Sequence, residues 1–237
     1  MRILVTNDDG VNASGLLPLV RWCMKLGEVT TVVPKFEQSG KAHGIELHVP
    51  YEAKEVELAP GIRAWAVDST PADCVRFAVM GLHKEFDLVV SGINRGFNIG
   101  SDQCYSGTVG AACEAVLSGI PALAFSTSPA YYEEAHKHLD LIYEYIQTNH
   151  LMDYNPIYNI NIPPNNGEFR ITRQGGPYFS DDYVPIGNDM YKAQGKCVFE
   201  DDGDLTLDTV ATMRGYISIS PLTVSMTNMD IFRKLSK

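Results

Sequence analysis

Two adjacent carboxylates, Asp8 and Asp9, follow directly on the apolar run Ile3-Leu4-Val5. Like charges held side by side are costly unless a cation sits beside them, so a metal is the natural complement. The alternative is that one of the pair caps the next turn and the other is solvated. Ser39, in Glu37-Gln38-Ser39-Gly40, and Asn94, in Ser91-Gly92-Ile93-Asn94-Arg95-Gly96, add neutral oxygens after two further apolar runs, although both residue types are also ordinary turn formers. An all-oxygen set of this kind suits magnesium, manganese or calcium rather than zinc. Ser106-Gly107-Thr108 precedes the helical apolar period Val109, Cys113, Val116 and Leu117, so hydroxyls and backbone amides there offer either an anion site or a plain cap.

Other candidates carry less. Gly92, Gly96 and Gly100 match neither a dinucleotide fingerprint nor a Walker motif, and no Ser/His/Asp triad can be assigned because G-x-S-x-G is absent. His43 lies just past Ser39-Gly40 and could reach a leaving group, but a lone loop histidine is more often not catalytic. His136 and His138, two apart on an expected helix, cannot share a face. Arg95 could meet a phosphate or pair with a surface carboxylate.

These residues need elements that bring them together. Ile3 to Val5, Val29 to Val33, Asp87 to Val90 and Pro121 to Phe125 read as strands; helices are expected over Leu16 to Leu26, from Pro71, over Val109 to Leu117 and over Glu134 to Gln147. Strands alternating with helices imply right-handed crossovers and a parallel sheet covered on both faces. In such a sheet ligands bind beyond the carboxyl ends of the strands, where the Asp8, Ser39 and Asn94 segments all fall. After Pro156, proline and glycine punctuate short strand-like pieces such as Tyr158 to Ile162, which predicts extended arms. Glu200-Asp201-Asp202-Gly203-Asp204 lacks EF-hand spacing and reads as an exposed turn. The division expected is a metal- and phosphate-binding core over residues 1–150 and extended strands and arms over 151–237, working as one functional unit.

Thr6-Asn7-Asp8-Asp9-Gly10, Gln38-Ser39-Gly40, Thr70-Pro71-Ala72-Asp73-Cys74-Val75, Ser91 to Gly96 and Tyr105 to Ala112 together resemble, in order and spacing, the SurE (survival protein) family of metal-dependent nucleotidases. Thr172-Arg173-Gln174 and Gly215 to Leu222 resemble its C-terminal half. The resemblance implies an α/β fold: a Rossmann-like core with a β-rich C-terminal part that exchanges between subunits, giving a homodimer or homotetramer. It implies hydrolysis of nucleoside 5′-monophosphates to nucleoside and phosphate, with Asp8, Asp9, Ser39 and Asn94 as ligands of one divalent cation per subunit, magnesium or manganese, with calcium also able to bind. Asp8, Asp9 and Asn94 would then be catalytic, and Gly40, Asn98, Ser106, Gly107 and Thr108 would hold the phosphate, Asn98 by a side-chain donor. Lys35-Phe36 and Lys41 depart from the family pattern and bear on substrate preference. The base preferred, action on 3′-nucleotides or polyphosphate, and water or an aspartate as the attacking group stay open.

The remaining composition sets bounds. The chain of 237 residues carries a formal charge of −10, which argues against nucleic acid polymers as partners. Its 45% hydrophobic content is ordinary for a globular core, and no apolar run is long enough to span a membrane. Five cysteines without a C-x-x-C pair fit neither a disulfide framework nor a zinc cluster, so a reducing cytoplasm is expected. A rival of another class remains: a regulatory protein that holds a nucleotide by the same metal and helix start without turnover.

Overall fold

The computed structural model describes residues 1–164 and 167–236. The chain runs β1 (Arg2–Thr6), α1 (Leu16–Leu26), β2 (Glu28–Pro34), β3 (Ala53–Ala59), β4 (Ile62–Val67), α2 (Pro71–Arg76), β5 (Leu88–Arg95), α3 (Gly107–Leu117) and β6 (Ala122–Thr127). It continues with α4 (Leu139–Thr148), α5 (Leu151–Tyr154), β7 (Ile157–Ile162), β8 (Phe169–Ile171), β9 (Phe179–Gly187), β10 (Met190–Cys197), α6 (Asp208–Met213), β11 (Ile217–Pro221) and α7 (Met229–Leu235). Among the described residues nine strands form one sheet in the order β3-β4-β2-β1-β5-β6-β7-β11-β8.

The central strands are parallel, and their side chains are buried on both faces, which is what the unbroken apolar run Ile3-Leu4-Val5 requires. Ile3 and Val5 pack with Leu16, Leu19 and Val20 of α1 and with Leu139, Ile142 and Ile146 of α4. Leu4 faces the other way, into Cys74 and Val75 of α2 and the small residues Ala111, Ala112 and Ala115 of α3. Those alanines let α3 lie close to the sheet.

The sheet is mostly parallel, as expected, with two antiparallel pairs: β3 with β4, joined by a short hairpin turn, and β11 with β7 in the β-rich C-terminal part. Local details differ from expectation. Asn94 and Arg95 are not in a loop after β5 but in its last turn of ladder, past a register shift between Ser91 and Asn94 that bends the strand. The helix from Pro71 is capped as expected, with Thr70 Oγ1 accepting from the Asp73 N–H at 3.1 Å, but it passes into a π turn at Phe77–Gly81. The helix expected from Glu134 starts as a 3₁₀ turn, Ala135–His138, in which His138 Nε2 bonds the Tyr131 hydroxyl at 2.7 Å, and becomes α-helical only at Leu139. The acidic stretch after Glu200 is a turn closed by Asp201, Asp202 and Asp204 on backbone N–H groups two residues on.

Besides the β6–β7 ladder, a buried side chain ties the C-terminal segment to the core. Asp208, at the start of α6, accepts from the Gly100, Gly175 and Thr209 N–H groups and from Gln103 Nε2, at 2.5 to 3.1 Å. This anchors the stretch between β5 and α3. Asp208→Ala strands these donors and is expected to cost about 3 kcal/mol of stability. Urea denaturation measures it, and a loss below about 1 kcal/mol would show that the donors find other partners.

Candidate active site

Asp8 leaves β1 and turns its carboxylate into the start of α3. Its side chain is almost wholly buried, and Thr108 Oγ1 donates a short hydrogen bond to its Oδ1. The approach needs a glycine: a Cβ at Gly107 would lie 2.9 Å from Asp8 Cβ and 3.0 Å from Oδ2. Ser106 caps the helix, its side chain accepting from the Val109 N–H at 3.1 Å. A helix start pointed at a carboxylate is favourable by its dipole, and the same amides suit a phosphate.

Asp9 is gripped from other elements. Its Oδ2 accepts from the Arg95 N–H at 2.9 Å and from the Tyr132 hydroxyl at 3.4 Å. The end of β5 is thereby tied to the end of β1. The loop after β2 is drawn to the same place, since the Gln38 N–H donates to the Asp8 carbonyl at 2.7 Å. A cleft of about 560 Å³ opens here, lined by Asp9, Glu37, Ser39, Arg95 and Tyr132.

The four oxygen-bearing residues share a feature. Asn94 spends its Nδ2 on the Gly96 carbonyl at 2.8 Å, which leaves its Oδ1 open, and Ser39 Oγ donates to Glu37 Oε1 at 2.7 Å, which leaves its lone pairs open. Among the described residues no hydrogen bond from a side chain reaches Asp8 Oδ2 or Asp9 Oδ1. Each residue thus keeps one acceptor unspent while its other polar atom is fixed, which fits a hard cation with oxygen ligands. No group of three or more His, Cys, Asp or Glu side chains poised for a metal occurs among the described residues.

Gly40 is exposed with φ of +73°, a backbone that glycine adopts without strain. Asn98 is set behind the cleft: its N–H donates to Asn161 Oδ1, its Nδ2 to Ser126 Oγ, and its carbonyl accepts from the Asn159 and Asn161 amides. His43 faces Glu114, two turns into α3, at 2.8 Å. Arg95 contributes its backbone N–H to Asp9 while its side chain is exposed. Tyr132 and Glu37 were not singled out by sequence reasoning. Tyr132 follows the end of β6, and the rule that located the other loops points there too; its chemistry gave no signal.

Burial pushes Asp8 up to about 6, outweighing the Thr108 hydrogen bond, with Asp9 adding to the rise. Burial also raises Asp9, against the hydrogen bond from Arg95, and Glu37 adds to it. Tyr132 is pushed up to about 12, by burial and then by Asp9. A carboxyl whose native value exceeds its unfolded one binds more protons when folded, so its contribution is complete below about pH 4 and lost as the pH rises through about 6. In EDTA at pH 7, Asp8→Asn is therefore expected to be more stable than the native chain by about 1–3 kcal/mol, and no more stable at pH 4. Urea titrations at the two pH values check this; an equal difference at both would show that Asp8 carries no charge penalty.

The family model described as "Survival protein SurE" matches residues 3–181. The 5′-nucleotidase SurE of Thermosipho melanesiensis is 37% identical, with 100% of this chain and 97% of that protein aligned. That of Caldanaerobacter subterraneus subsp. tengcongensis is 38% identical over 99% of this chain and 96% of its own. The crystal structure of the SurE protein from Aquifex aeolicus superposes with a TM-score of 0.80 at 30% identity, covering 100% of this chain and 98% of that one. The chain belongs to the SurE family.

Proposed function

We propose that this protein is a divalent-metal-dependent phosphomonoesterase that hydrolyses nucleoside 5′-monophosphates to nucleoside and phosphate. The observation that carries this reading is the contact between Asp8 and the start of α3, which puts acceptors for a cation and donors for an anion in one place. The relatives named 5′-nucleotidase SurE support the substrate class.

Asp8, Asp9, Ser39 and Asn94 would hold one cation, magnesium or manganese in our reading. When bound, it supplies charge neutralisation for the phosphate and a water of lowered pKa. The Gly107 and Thr108 amides, Ser106 and the Gly40 amide would hold phosphate oxygens, with Asn98 keeping the stretch behind them in place as well as offering its amide. Asp8 serves better as a fixed ligand than as an attacking group, because Thr108 and the helix start leave it no room to advance. We therefore favour water as the nucleophile.

Residues 1–150 supply this site, and residues 151–237 would serve association. The hairpin of β9 and β10 stands apart from the main sheet and exposes Phe179, Tyr183, Ile186 and Tyr191, and α7 exposes Ile231 and Phe232. Such arms gain apolar burial from a second subunit, so sedimentation at micromolar concentration should show a dimer or tetramer, and a monomer would contradict it. Five free thiols suit a reducing compartment, which we take to be the cytoplasm; among the described residues no helix is long and apolar enough to cross a membrane.

Purified protein should release phosphate from nucleoside 5′-monophosphates with magnesium or manganese, stop with EDTA and recover when metal is returned. Metal-dependent nucleotide binding with no phosphate over hours would favour a regulatory role. Hydrolysis indifferent to EDTA would defeat the metal-based mechanism.

A further inference from the structure

Glu114 lies two turns beyond the start of α3, where no substrate phosphate at Ser106 to Thr108 would touch it. It is only 6% exposed, yet both its oxygens are engaged: Oε2 by His43 Nε2 at 2.8 Å and Oε1 by the Arg76 guanidinium, through Nη1, at 3.2 Å. Burial pushes this carboxyl up, but the His43 and Arg76 hydrogen bonds outweigh that and hold it below the usual range. His43 belongs to the irregular segment that begins with Ser39 and Gly40, and Arg76 ends α2.

That segment has no ladder to hold it. Its N-terminal end is held by the Gln38 N–H on the Asp8 carbonyl; beyond that, the Ala42 N–H donates to the Tyr105 carbonyl at 3.0 Å, and the Glu46 N–H donates to Asp73 Oδ2 of α2 at 2.8 Å. It also lies directly on α3, since a Cβ at Gly110 would come within 2.3 Å of the Ala42 carbonyl oxygen. Among the described residues the His43–Glu114 contact is the bond between side chains that ties this segment to α3.

We propose that Glu114 is a positioning residue which, through His43, holds the Ser39–Gly40 loop in register with the start of α3, so that the metal-binding and phosphate-binding halves of the site meet correctly. This rests on the site reading given under Proposed function. Ser39 and Gly40 are exposed, whereas Ser106 to Thr108 are buried. The link from His43 therefore acts on the loop and not on the helix.

His43→Ala tests it, because His43 is part-exposed beside a cavity of about 600 Å³ and its removal leaves Glu114 paired with Arg76. His43→Gln keeps an N–H near the Nε2 position. With the intact chain, His43→Ala should lower kcat/KM for a nucleoside monophosphate about tenfold and weaken manganese and inorganic phosphate binding measured by calorimetry, with little change in Tm. His43→Gln should restore both to within about threefold. Unchanged kinetics and binding in His43→Ala, or losses that follow Tm and are not restored by glutamine, would overturn the proposal. If the native chain binds manganese and phosphate but releases none from nucleotides, the hydrolase reading fails and calorimetry alone still decides the role of His43. If the native chain binds neither, both ideas fall.

Discussion

A carboxylate pressed into the N-terminus of a helix is the contact around which this molecule is arranged. Asp8 loses most of its water, and its compensation comes from one hydroxyl, Thr108, and the amides at the head of α3. That is too little to keep it at an ordinary carboxyl value, so the native fold holds a charge it does not fully satisfy. A site left unsatisfied in this way is one that a cation can complete.

The rest of the architecture makes that contact unavoidable. β1 is central, so its end lies between the ends of β2 and β5, and backbone N–H groups from Gln38 and Arg95 bind Asp8 and Asp9 from either side. The run of small residues in α3, from Gly107 through Ala115, brings the helix near enough to the sheet for Gly107 to touch Asp8. Behind it, Asn98, Ser126, Asn159 and Asn161 form a buried polar bed, and Asp208 fastens the connecting stretch to α6. The bonds of this network hold the stretch leading into α3 against β6 and β7.

How much of this was legible followed from range and chemistry. The strands carrying Ile3 to Val5 and Val29 to Val33, and the helices from Leu16 and Val109, have strong periodicity, and the structure contains them. The β3 and β4 pair was not read, because Ala53 to Ala59 alternates charged and apolar residues on an exposed edge. Asp8, Asp9, Ser39 and Asn94 could be gathered from the strand-end rule because their types advertise oxygen ligands. Tyr132, Glu114 and Asp208 could not: each acts on a partner remote in sequence, Tyr132 on Asp9, Glu114 on His43 and Asp208 on Gly100, and none belongs to a motif whose chemistry is local.

On the proposed function, the unspent oxygens of Asp8, Asp9, Ser39 and Asn94 would enclose one hard cation facing the start of α3. Anomalous diffraction from crystals grown with manganese tests it most directly. A single strong peak per chain bounded by Asp8 Oδ2, Asp9 Oδ1, Asn94 Oδ1 and Ser39 Oγ is the expected result. A peak elsewhere, or one held without Asp8, would contradict it.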